Sequence, residues 1–258
     1  MFQSNDDPGE IAAALIGPSA AVCELRQELA LAGAVDVRVL ITGEYGVGKR
    51  RLARLIHQRS VRAHGPFVAV RCGDAADIPT RLFGDGRDIA GAVERADGGT
   101  LFLQDVEALP TCTQERLLHF LRAGEFQPVG STEARRADVR VICATTAGNL
   151  QTSGANGFRT DLYYLLNTIY LRIPALRERR EDVEPLLEFF TAYYARRSGL
   201  GIPELSNESR ANCRTHHWPA NLCQLQAAAA MFALPITTAR PSDILESAAR
   251  IVAAHRPS

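Results

Sequence analysis

The chain has 258 residues, of which 46% are hydrophobic and 22% are charged, so it can bury a substantial core and divide into one large and one smaller domain. Lysine and arginine total 29, as do aspartate and glutamate, so no overall field favours a polyanion or an anionic membrane. The six cysteines include no CxxC pair, and the sequence contains neither a leader pattern nor a membrane-spanning apolar run. These features predict a cytoplasmic protein without membrane contact.

Strand and helix patterns alternate along most of the chain. Residues 1–14 are expected to be loose, and an alanine- and leucine-rich helical pattern covers about 19–32. Short β-branched runs, apolar on both faces, predict strands at 37–42, 67–72, 100–105 and 139–146. Helical periodicity between these runs predicts a parallel sheet with crossover helices.

The strand patterns stop at about residue 181. Helical patterns follow over 181–197, 208–217, 221–234 and 242–255. This change predicts an α/β domain over 15–180 and a helical lid with a C-terminal helix over 181–258.

The C-terminal region also contains two clusters of titratable residues. The mixed-charge run 177–182 is predicted to be solvated or to bridge at the domain junction. His216 and His217 are adjacent and cannot share one helix face, so no metal site is expected there. The neighbouring Trp218 is predicted to anchor the core of the lid.

The segment GEYGVGK, residues 43–49, stands between the first predicted strand and a helical pattern. Its glycines let the backbone curl so that successive amides face an anion, and the N-terminus of the following helix adds partial positive charge. Lys49, on a loop that we expect to be exposed, would reach the outer phosphates of a nucleotide. The alternative is a turn that only links strand to helix, but the flanking elements favour nucleotide binding. The predicted binding residues are Gly43, Glu44, Tyr45, Gly46, Val47, Gly48, Lys49 and Arg50.

The residue after the loop lysine departs from the usual signature. A serine or threonine that touches magnesium is usual there, whereas this chain has Arg50. In the helical pattern that follows, one apolar face is predicted to pack against the sheet. That face consists of Leu52, Leu55 and Ile56.

Nucleotide hydrolysis requires a carboxylate that holds magnesium, a second one that orients water and a cation opposite the terminal phosphate. The segment GGTLFLQDVEALP, residues 98–110, fits best because its apolar run ends in Gln104 and Asp105. Gln104 is neutral and a poor magnesium ligand, and Asp105 is one methylene shorter than a glutamate. Asp105 could equally cap a helix or turn just after the strand, so its role stays open.

Nine segments, in order, resemble the AAA+ domain of bacterial enhancer-binding proteins, the ATPases that activate sigma-54 RNA polymerase. They are GEYGVGK, PFVAVRC, LFG (82–84), GGTLFL, LLHFLRAGEFQPVG, DVRVICATT, FRTDLYYLLN, PALRERREDV and HWPANLCQLQ. The resemblance covers about residues 15–240. It implies an α/β fold of the AAA+ P-loop NTPase type, an αβα sandwich with a parallel sheet and a C-terminal helical lid. It also implies binding of ATP or ADP and assembly into rings.

The chain departs from this family at acidic and polar positions of the reaction centre. The residue after the loop lysine is usually glutamate, so Arg50 reverses the sign of the charge. Gln104 and Asp105 match the family's Asp-Glu pair, and Thr146 matches its sensor asparagine. The resemblance therefore implies weak or absent Mg²⁺ binding at this centre.

The family's cations are also depleted. Arg159 matches the first of two arginines that reach a neighbour's nucleotide, but Leu165 replaces the second. Cys223 replaces the lid arginine that touches phosphate. Phosphoryl transfer depends on positioned charge, so each loss could cost on the order of 100-fold, and we expect little hydrolysis.

The segment between LFG and GGTLFL also differs. The family carries a GAFTGA loop there that contacts the sigma factor, whereas this chain has only DGRDIAGAVERAD, residues 85–97. AGAV could be a remnant of that loop, but helical periodicity favours a helix over 89–96. Arg135, Arg136 and Arg140, near a predicted strand start, leave a nucleic-acid contact open. One C-terminal helix stands where a helix-turn-helix would need about three, so no DNA-binding domain is expected on this chain.

The combined features predict an ATP-binding AAA+ domain of the sigma-54-dependent transcriptional regulator type that is impaired in hydrolysis. It would act by nucleotide-dependent assembly or partner binding. The expected partners are copies of itself or related activators in a mixed ring, with RNA polymerase or a sigma factor as a further candidate. Two alternatives stay open. One is a working ATPase that remodels a transcription complex, in which Asp105 orients the attacking water. The other is a nucleotide-free interaction protein.

Overall fold

The computed structural model of the chain describes residues 15–73, 77–146, 157–234 and 240–254. Two compact units are present. Unit 1 takes in the described residues within Met1–Arg26, Glu44–Arg51 and Ile173–Ser258, and unit 2 those within Gln27–Gly43 and Leu52–Arg172. The segment 1–14, expected to be loose, lies outside the described residues.

The described part of unit 2 contains a five-stranded sheet in which every neighbouring pair runs parallel. The described strands are β1 (Val39–Thr42), β2 (Phe67–Arg71), β3 (Thr100–Gln104), β4 (Glu125–Phe126), β5 (Arg135–Arg136), β6 (Arg140–Thr145) and β7 (Ile169–Arg172). The sheet order is β2-β3-β6-β1-β7, and β4 pairs with β5 in a separate antiparallel ribbon. The predicted parallel sheet and its four predicted strands are confirmed.

The sequence patterns miss the edge strand β7 and the β4–β5 ribbon. β7 has four residues, and its exposure alternates between the buried Leu171 and the exposed Tyr170 and Arg172. An edge strand pairs on one side only and needs no continuous apolar run. The ribbon strands have two residues each, too few for a detectable period.

Helices pack on both faces of the sheet. Those that precede or accompany it are α1 (Ala20–Ala34), α2 (Lys49–Gln58), α3 (Ile78–Phe83), α4 (Ala92–Arg95), α5 (Thr111–Ala123) and α6 (Thr160–Leu166). On one face, sheet residues such as Leu40, Leu101 and Val141 share a core with Leu117 of α5 and Leu162 of α6. This core is formed because alternate strand residues point to the same face.

The other face is covered by α2. The ring of His57 lies 5.4 Å from that of Phe67, which stacks on Phe102 at 6.1 Å. The predicted apolar face of this helix is confirmed, because all three of its side chains are buried. They are Leu52, Leu55 and Ile56.

The segment between α3 and β3 forms a short closed loop followed by one helical turn. The Asp85 carboxylate accepts hydrogen bonds from the backbone amides of Arg87 and Ile89, both at 2.9 Å. The amide of Asp85 in turn donates to the Ile89 carbonyl oxygen. Since α4 covers only Ala92–Arg95, the predicted helix over 89–96 is wrong in its first half, where a side chain closes a loop instead.

Unit 1 contains the four predicted helices of the C-terminal region. They are α7 (Val183–Arg197), α8 (Asn207–Thr215), α9 (Asn221–Ala233) and α10 (Pro241–Ala254). Trp218 is fully buried among Phe190, Leu222 and Leu245, and its Nε1 donates to the Cys213 carbonyl oxygen at 2.9 Å. The indole therefore anchors this core, as predicted.

The mixed-charge run 177–182 is only partly solvated. Arg177 is 40% exposed, whereas Asp182 is completely buried. Asp182 accepts hydrogen bonds from Ser19 N at 2.9 Å and from Ser19 Oγ at 2.6 Å. Of the two roles predicted for this run, solvated or bridging, the solvated one is wrong for Asp182, because its carboxylate joins the run to the segment before α1.

None of the helices in the described ranges is long and apolar enough to span a membrane. Across these same ranges, no group of three or more His, Cys, Asp or Glu side chains is placed to hold a metal ion.

Candidate functional site

The phosphate loop runs directly from the end of β1 into the start of α2, which confirms its predicted place between a strand and a helix. The φ angles of Gly43, Gly46 and Gly48 are 152°, 78° and 101°, values that side chains larger than glycine's rarely tolerate. With this backbone, amides of the loop and of the helix N-terminus can converge on an anion. The loop therefore fits a nucleotide phosphate.

Lys49 is buried, contrary to its expected position on an exposed loop. Its side chain is 8% exposed, and its Nζ donates to the Glu44 carbonyl oxygen at 3.0 Å. The aliphatic stem packs inside while the ammonium group stays at the loop. From there it can neutralise a phosphate oxygen.

The first turn of α2 concentrates positive charge. Lys49, Arg50 and Arg51 are consecutive, and this turn contains no acidic residue. Cations at a helix N-terminus oppose the helix dipole, so a bound anion would relieve this arrangement. The Nε of Arg50 is buried without a hydrogen-bond partner among the described residues. Such a site suits an anionic group better than a divalent cation.

Gly46 packs against the start of α9 within unit 1. An added Cβ would lie 2.2 Å from the Ala220 carbonyl oxygen and 3.4 Å from the Cys223 Sγ. The Gly46 carbonyl oxygen accepts a hydrogen bond from Leu222 N at 2.9 Å. Cys223 is therefore brought to the phosphate loop, where its thiol cannot supply the charge of an arginine.

Two further residues of unit 1 contact the loop and were missed by the sequence patterns. Arg177 donates from both terminal nitrogens to the Glu44 carboxylate, at 2.7 and 2.5 Å, and this hydrogen bonding raises the pKa of Arg177. Asn221 is fully buried with φ of 51°. Its Nδ2 donates to the Tyr45 carbonyl oxygen at 2.8 Å, and its Oδ1 accepts from Leu176 N at 2.7 Å. Arg177 was recognised only as part of a charged run, and no local pattern marks Asn221.

In unit 2, the ends of β2 and β3 carry an ion pair. Asp105 directly follows Gln104, in the left-handed conformation with φ of 56°. Its Oδ2 accepts a hydrogen bond from Arg71 Nε at 2.9 Å, and Arg71 lies opposite Gln104 in the strand register. Asp105 makes no side-chain hydrogen bond to the short helix Val106–Ala108, so the capping role left open above is not observed.

Glu107, which the sequence patterns did not mark, lies two residues after Asp105 and is bonded to Thr146. Its Oε1 accepts hydrogen bonds from Thr146 N at 3.0 Å and Thr146 Oγ1 at 2.9 Å. Its Oε2 is buried and lacks a hydrogen-bond partner in the described part of the chain. Burial, with the charges of Asp105 and Glu107, raises the pKa of the Cys72 thiol far above its usual value. The sequence signal that could have identified Glu107 was its position two residues after Asp105.

Arg159 lies just before α6 and is held by its own chain. Its guanidinium pairs with Asp161 at 3.0 Å and with Glu115 at 3.1 Å, and the hydrogen bond to Asp161 raises the pKa of Arg159. Leu165 packs, partly buried, against the core of unit 2. Leu165, for which the resemblance implied a lost arginine, therefore serves as a packing residue.

The three arginines that left a nucleic-acid contact open are engaged within unit 2. Arg135 pairs with Glu94, and Arg136 pairs with Glu125. Arg140 is buried, and it donates to the carbonyl oxygens of two residues before β1, Ala32 and Val37. These contacts give each of the three arginines a structural role and do not favour a nucleic-acid surface.

A parallel sheet covered by helices, a strand that leads into a glycine-rich phosphate loop, and a helical unit after the sheet define an AAA+ P-loop NTPase domain with a C-terminal lid. Within this class, the chain belongs to the sigma-54 interaction domain family, whose sequence profile matches residues 15–172. The AAA+ ATPase lid domain matches residues 177–244. The chain is thus an AAA+ domain of the sigma-54-dependent transcriptional regulator type, as the resemblance implied.

Curated relatives are regulators about twice as long. The chain is 40% identical over 232 residues to the C4-dicarboxylate transport transcriptional regulatory protein DctD of Rhizobium meliloti (strain 1021), covering 86% of this chain and 50% of DctD. It is 36% identical over 234 residues to the DNA-binding transcriptional regulator NtrC of the same organism, covering 86% of this chain and 48% of NtrC. The chain spans about half the length of these relatives.

Solved structures of NtrX from Brucella abortus resemble the chain closely. The complex with ADP superposes with a TM-score of 0.84 at 35% identity, over 89% of this chain and 54% of NtrX. The complex with ATP superposes with a TM-score of 0.83 at 33% identity, over 94% of this chain and 56% of NtrX.

Proposed function

We propose that this chain binds ATP or ADP at the phosphate loop, hydrolyses it little, and acts through nucleotide-dependent assembly or partner binding. The observation that carries the proposal is the pairing of Asp105 with Arg71 at 2.9 Å in a chain whose loop sequence keeps its phosphate-binding glycines and lysine. In this proposal the loop keeps the residues that bind nucleotide, whereas the residue expected to support turnover, Asp105, is engaged by Arg71.

Binding is supported by the positive-φ glycines, by the ammonium of Lys49 at the loop and by the three consecutive cationic residues in the first turn of α2. The likeness to NtrX in complex with ADP and with ATP points the same way. In this proposal the residues Gly43–Arg50 hold the phosphates. The proposal also keeps Thr146 and Cys223, which the family resemblance assigned to the nucleotide-binding residues.

Impaired hydrolysis is supported by the chemistry of the residues at the ends of β2 and β3. Gln104 offers no charge to a magnesium ion, and Asp105 is held by Arg71 instead of being available to orient a water. Arg50 adds a positive charge that disfavours a cation. Magnesium is therefore bound weakly or only through phosphate and water.

The output of the domain is also altered in this proposal. The Asp85 carboxylate closes residues 85–89 into a short loop, which supports the proposal that the segment 85–97 does not act as a GAFTGA-type loop toward a sigma factor. Arg159 is 36% exposed in its pairs with Asp161 and Glu115, and pairs of this kind exchange readily for other partners. We infer self-association or a mixed ring with related activators, with RNA polymerase or a sigma factor as a further contact.

A working ATPase is the second candidate, and one observation favours it. The buried Oε2 of Glu107 has no hydrogen-bond partner among the described residues, so this carboxylate could take the water-orienting role that Asp105 lacks. In that case Glu107→Gln would remove turnover.

Titration of the chain with a fluorescent ADP analogue, followed by phosphate-release kinetics across protein concentrations, tests the proposal. We expect saturable binding with phosphate release near background at every concentration, and Lys49→Met serves as the control that lacks the phosphate-binding charge. Magnesium-dependent turnover that rises with assembly would establish the working ATPase instead. Absence of binding would favour the nucleotide-free interaction protein.

A further inference from the structure

Two carbonyl groups of the phosphate loop face the start of α9. The Tyr45 carbonyl oxygen accepts from Asn221 Nδ2 at 2.8 Å, and the Gly46 carbonyl oxygen accepts from Leu222 N at 2.9 Å. In a trans peptide the C=O and N–H groups point in opposite directions. The amides of Gly46 and Val47 therefore point away from α9, because they belong to those same two peptide units.

The start of α9 is itself built for this contact. Asn221 adopts a φ of 51° with its side chain fully buried, a conformation that asparagine tolerates better than most residues. Its Oδ1 is used by Leu176 N at 2.7 Å, so the side-chain amide cannot rotate without losing a bond. The donor that holds Tyr45 O is thus fixed in place.

Charge completes the arrangement. The Glu44 carboxylate accepts hydrogen bonds from both terminal nitrogens of Arg177, and its Oε2 lies 3.3 Å from Asn221 Nδ2. The neighbouring Glu44 carbonyl oxygen accepts from Lys49 Nζ at 3.0 Å. Glu44 therefore connects the lid side chains with the lysine that would meet the phosphates.

We propose that Asn221 and the Glu44–Arg177 pair are positioning residues that orient the phosphate-binding amides of Gly46 and Val47 before nucleotide arrives. The inference rests on the proposed nucleotide binding and extends it. Nucleotide affinity is set from the lid side of the loop by groups that need not touch the phosphates. Loss of these contacts leaves the loop free to rotate its peptides, and binding must then restrict them again.

The test compares two variants with a matched control. Asn221→Gly keeps the positive φ but removes the side-chain hydrogen bonds, and it should weaken binding of a fluorescent ADP analogue about tenfold. Arg177→Gln removes a partly exposed ion pair, and it should weaken binding about threefold. Arg250→Gln removes the exposed pair with Glu246 in α10 of the same unit and should bind like the unsubstituted chain.

Two readouts separate positioning from general stability. The midpoint temperature of thermal unfolding should be the same for Arg177→Gln and Arg250→Gln, although only Arg177→Gln should bind ADP more weakly than the unsubstituted chain. Raising the salt to about 1 M screens the exposed pair, so the difference between Arg177→Gln and the unsubstituted chain should disappear. Trp218 is the single tryptophan, and its carbonyl oxygen accepts from Asn221 N, so its emission should respond to ADP less in Asn221→Gly.

Equal ADP affinity in the unsubstituted chain, Arg177→Gln and Asn221→Gly would overturn the positioning role while leaving the proposed function in place. If Asn221→Gly does not fold, the exposed Arg177→Gln substitution decides the question. Failure of the unsubstituted chain to bind ADP would overturn both the proposed function and this inference.

Discussion

Replacing Arg71 with methionine should raise ATP hydrolysis only in a chain whose catalytic charges have been restored. The Arg71 Nε lies 2.9 Å from Asp105 Oδ2, with the side chains 29% and 18% exposed. Hydrogen bonds between charged groups contribute about 1.5–3 kcal/mol. A carboxylate at position 105 that must leave Arg71 to orient a water therefore loses on the order of 2 kcal/mol, or roughly 30-fold in rate.

The restored background combines five substitutions. Gln104→Asp and Asp105→Glu rebuild a magnesium ligand and a water-orienting base on a strand already in place. Arg50→Glu removes a cation that disfavours magnesium by about 1–2 kcal/mol. Leu165→Arg and Cys223→Arg return the positive charge that compensates the terminal phosphate.

Each single variant, Arg71→Met included, should stay near background, because the charges act as a unit and their effects are not additive. The assay is steady-state phosphate release at saturating ATP, with and without magnesium. Arg136→Met, which breaks a pair with Glu125 on the β4–β5 ribbon, controls for loss of an arginine in the same unit. Equal turnover with and without Arg71 in the restored background, or robust turnover in the unsubstituted chain, would refute the reasoning.

Three further outcomes are expected. Lys49→Met should abolish binding of the ADP analogue in the same titration while retaining the fold, because the buried stem is kept and only the charge at the loop is lost; unchanged affinity would place the site elsewhere. Ser19→Ala should destabilise the protein by about 1–3 kcal/mol, because it removes the hydroxyl that donates to the buried Asp182 carboxylate; urea unfolding measures this, and an unchanged midpoint would contradict it. The chain alone should not form open complexes with purified sigma-54 polymerase, since the segment 85–97 lacks the GAFTGA sequence and its first residues, 85–89, close into a loop on Asp85; open-complex formation in a footprinting assay would contradict that expectation.

Much of the fold could be read from local patterns. The runs that became β1, β2, β3 and β6 are apolar on both faces, as strands at the centre of a parallel sheet must be. The four C-terminal helices carry helical periodicity. β7 escaped because an edge strand does not need that pattern, and the predicted helix over 89–96 was wrong because the Asp85 side chain closes the backbone into a loop.

In the candidate site, too, the sequence patterns marked local features but not long-range contacts. Glycines, a lysine and a strand end marked the phosphate loop and the position of Asp105, because the chain geometry there is local. The partners of those residues were not marked. Arg71 reaches Asp105 across 34 residues, Glu107 meets Thr146 across 39, and Asn221 meets Tyr45 across 176.

The sequence by itself determined the family, the four central strands, the C-terminal helices and the phosphate loop, since each follows from short-range periodicity or from an ordered set of motifs. Only the tertiary structure decided that Asp105 is held by an arginine, that Glu107 binds Thr146, and that Asn221 directs the carbonyl of Tyr45. The physical reason is that a hydrogen bond depends on where the packed chain brings two distant groups. No local pattern of residues encodes that distance.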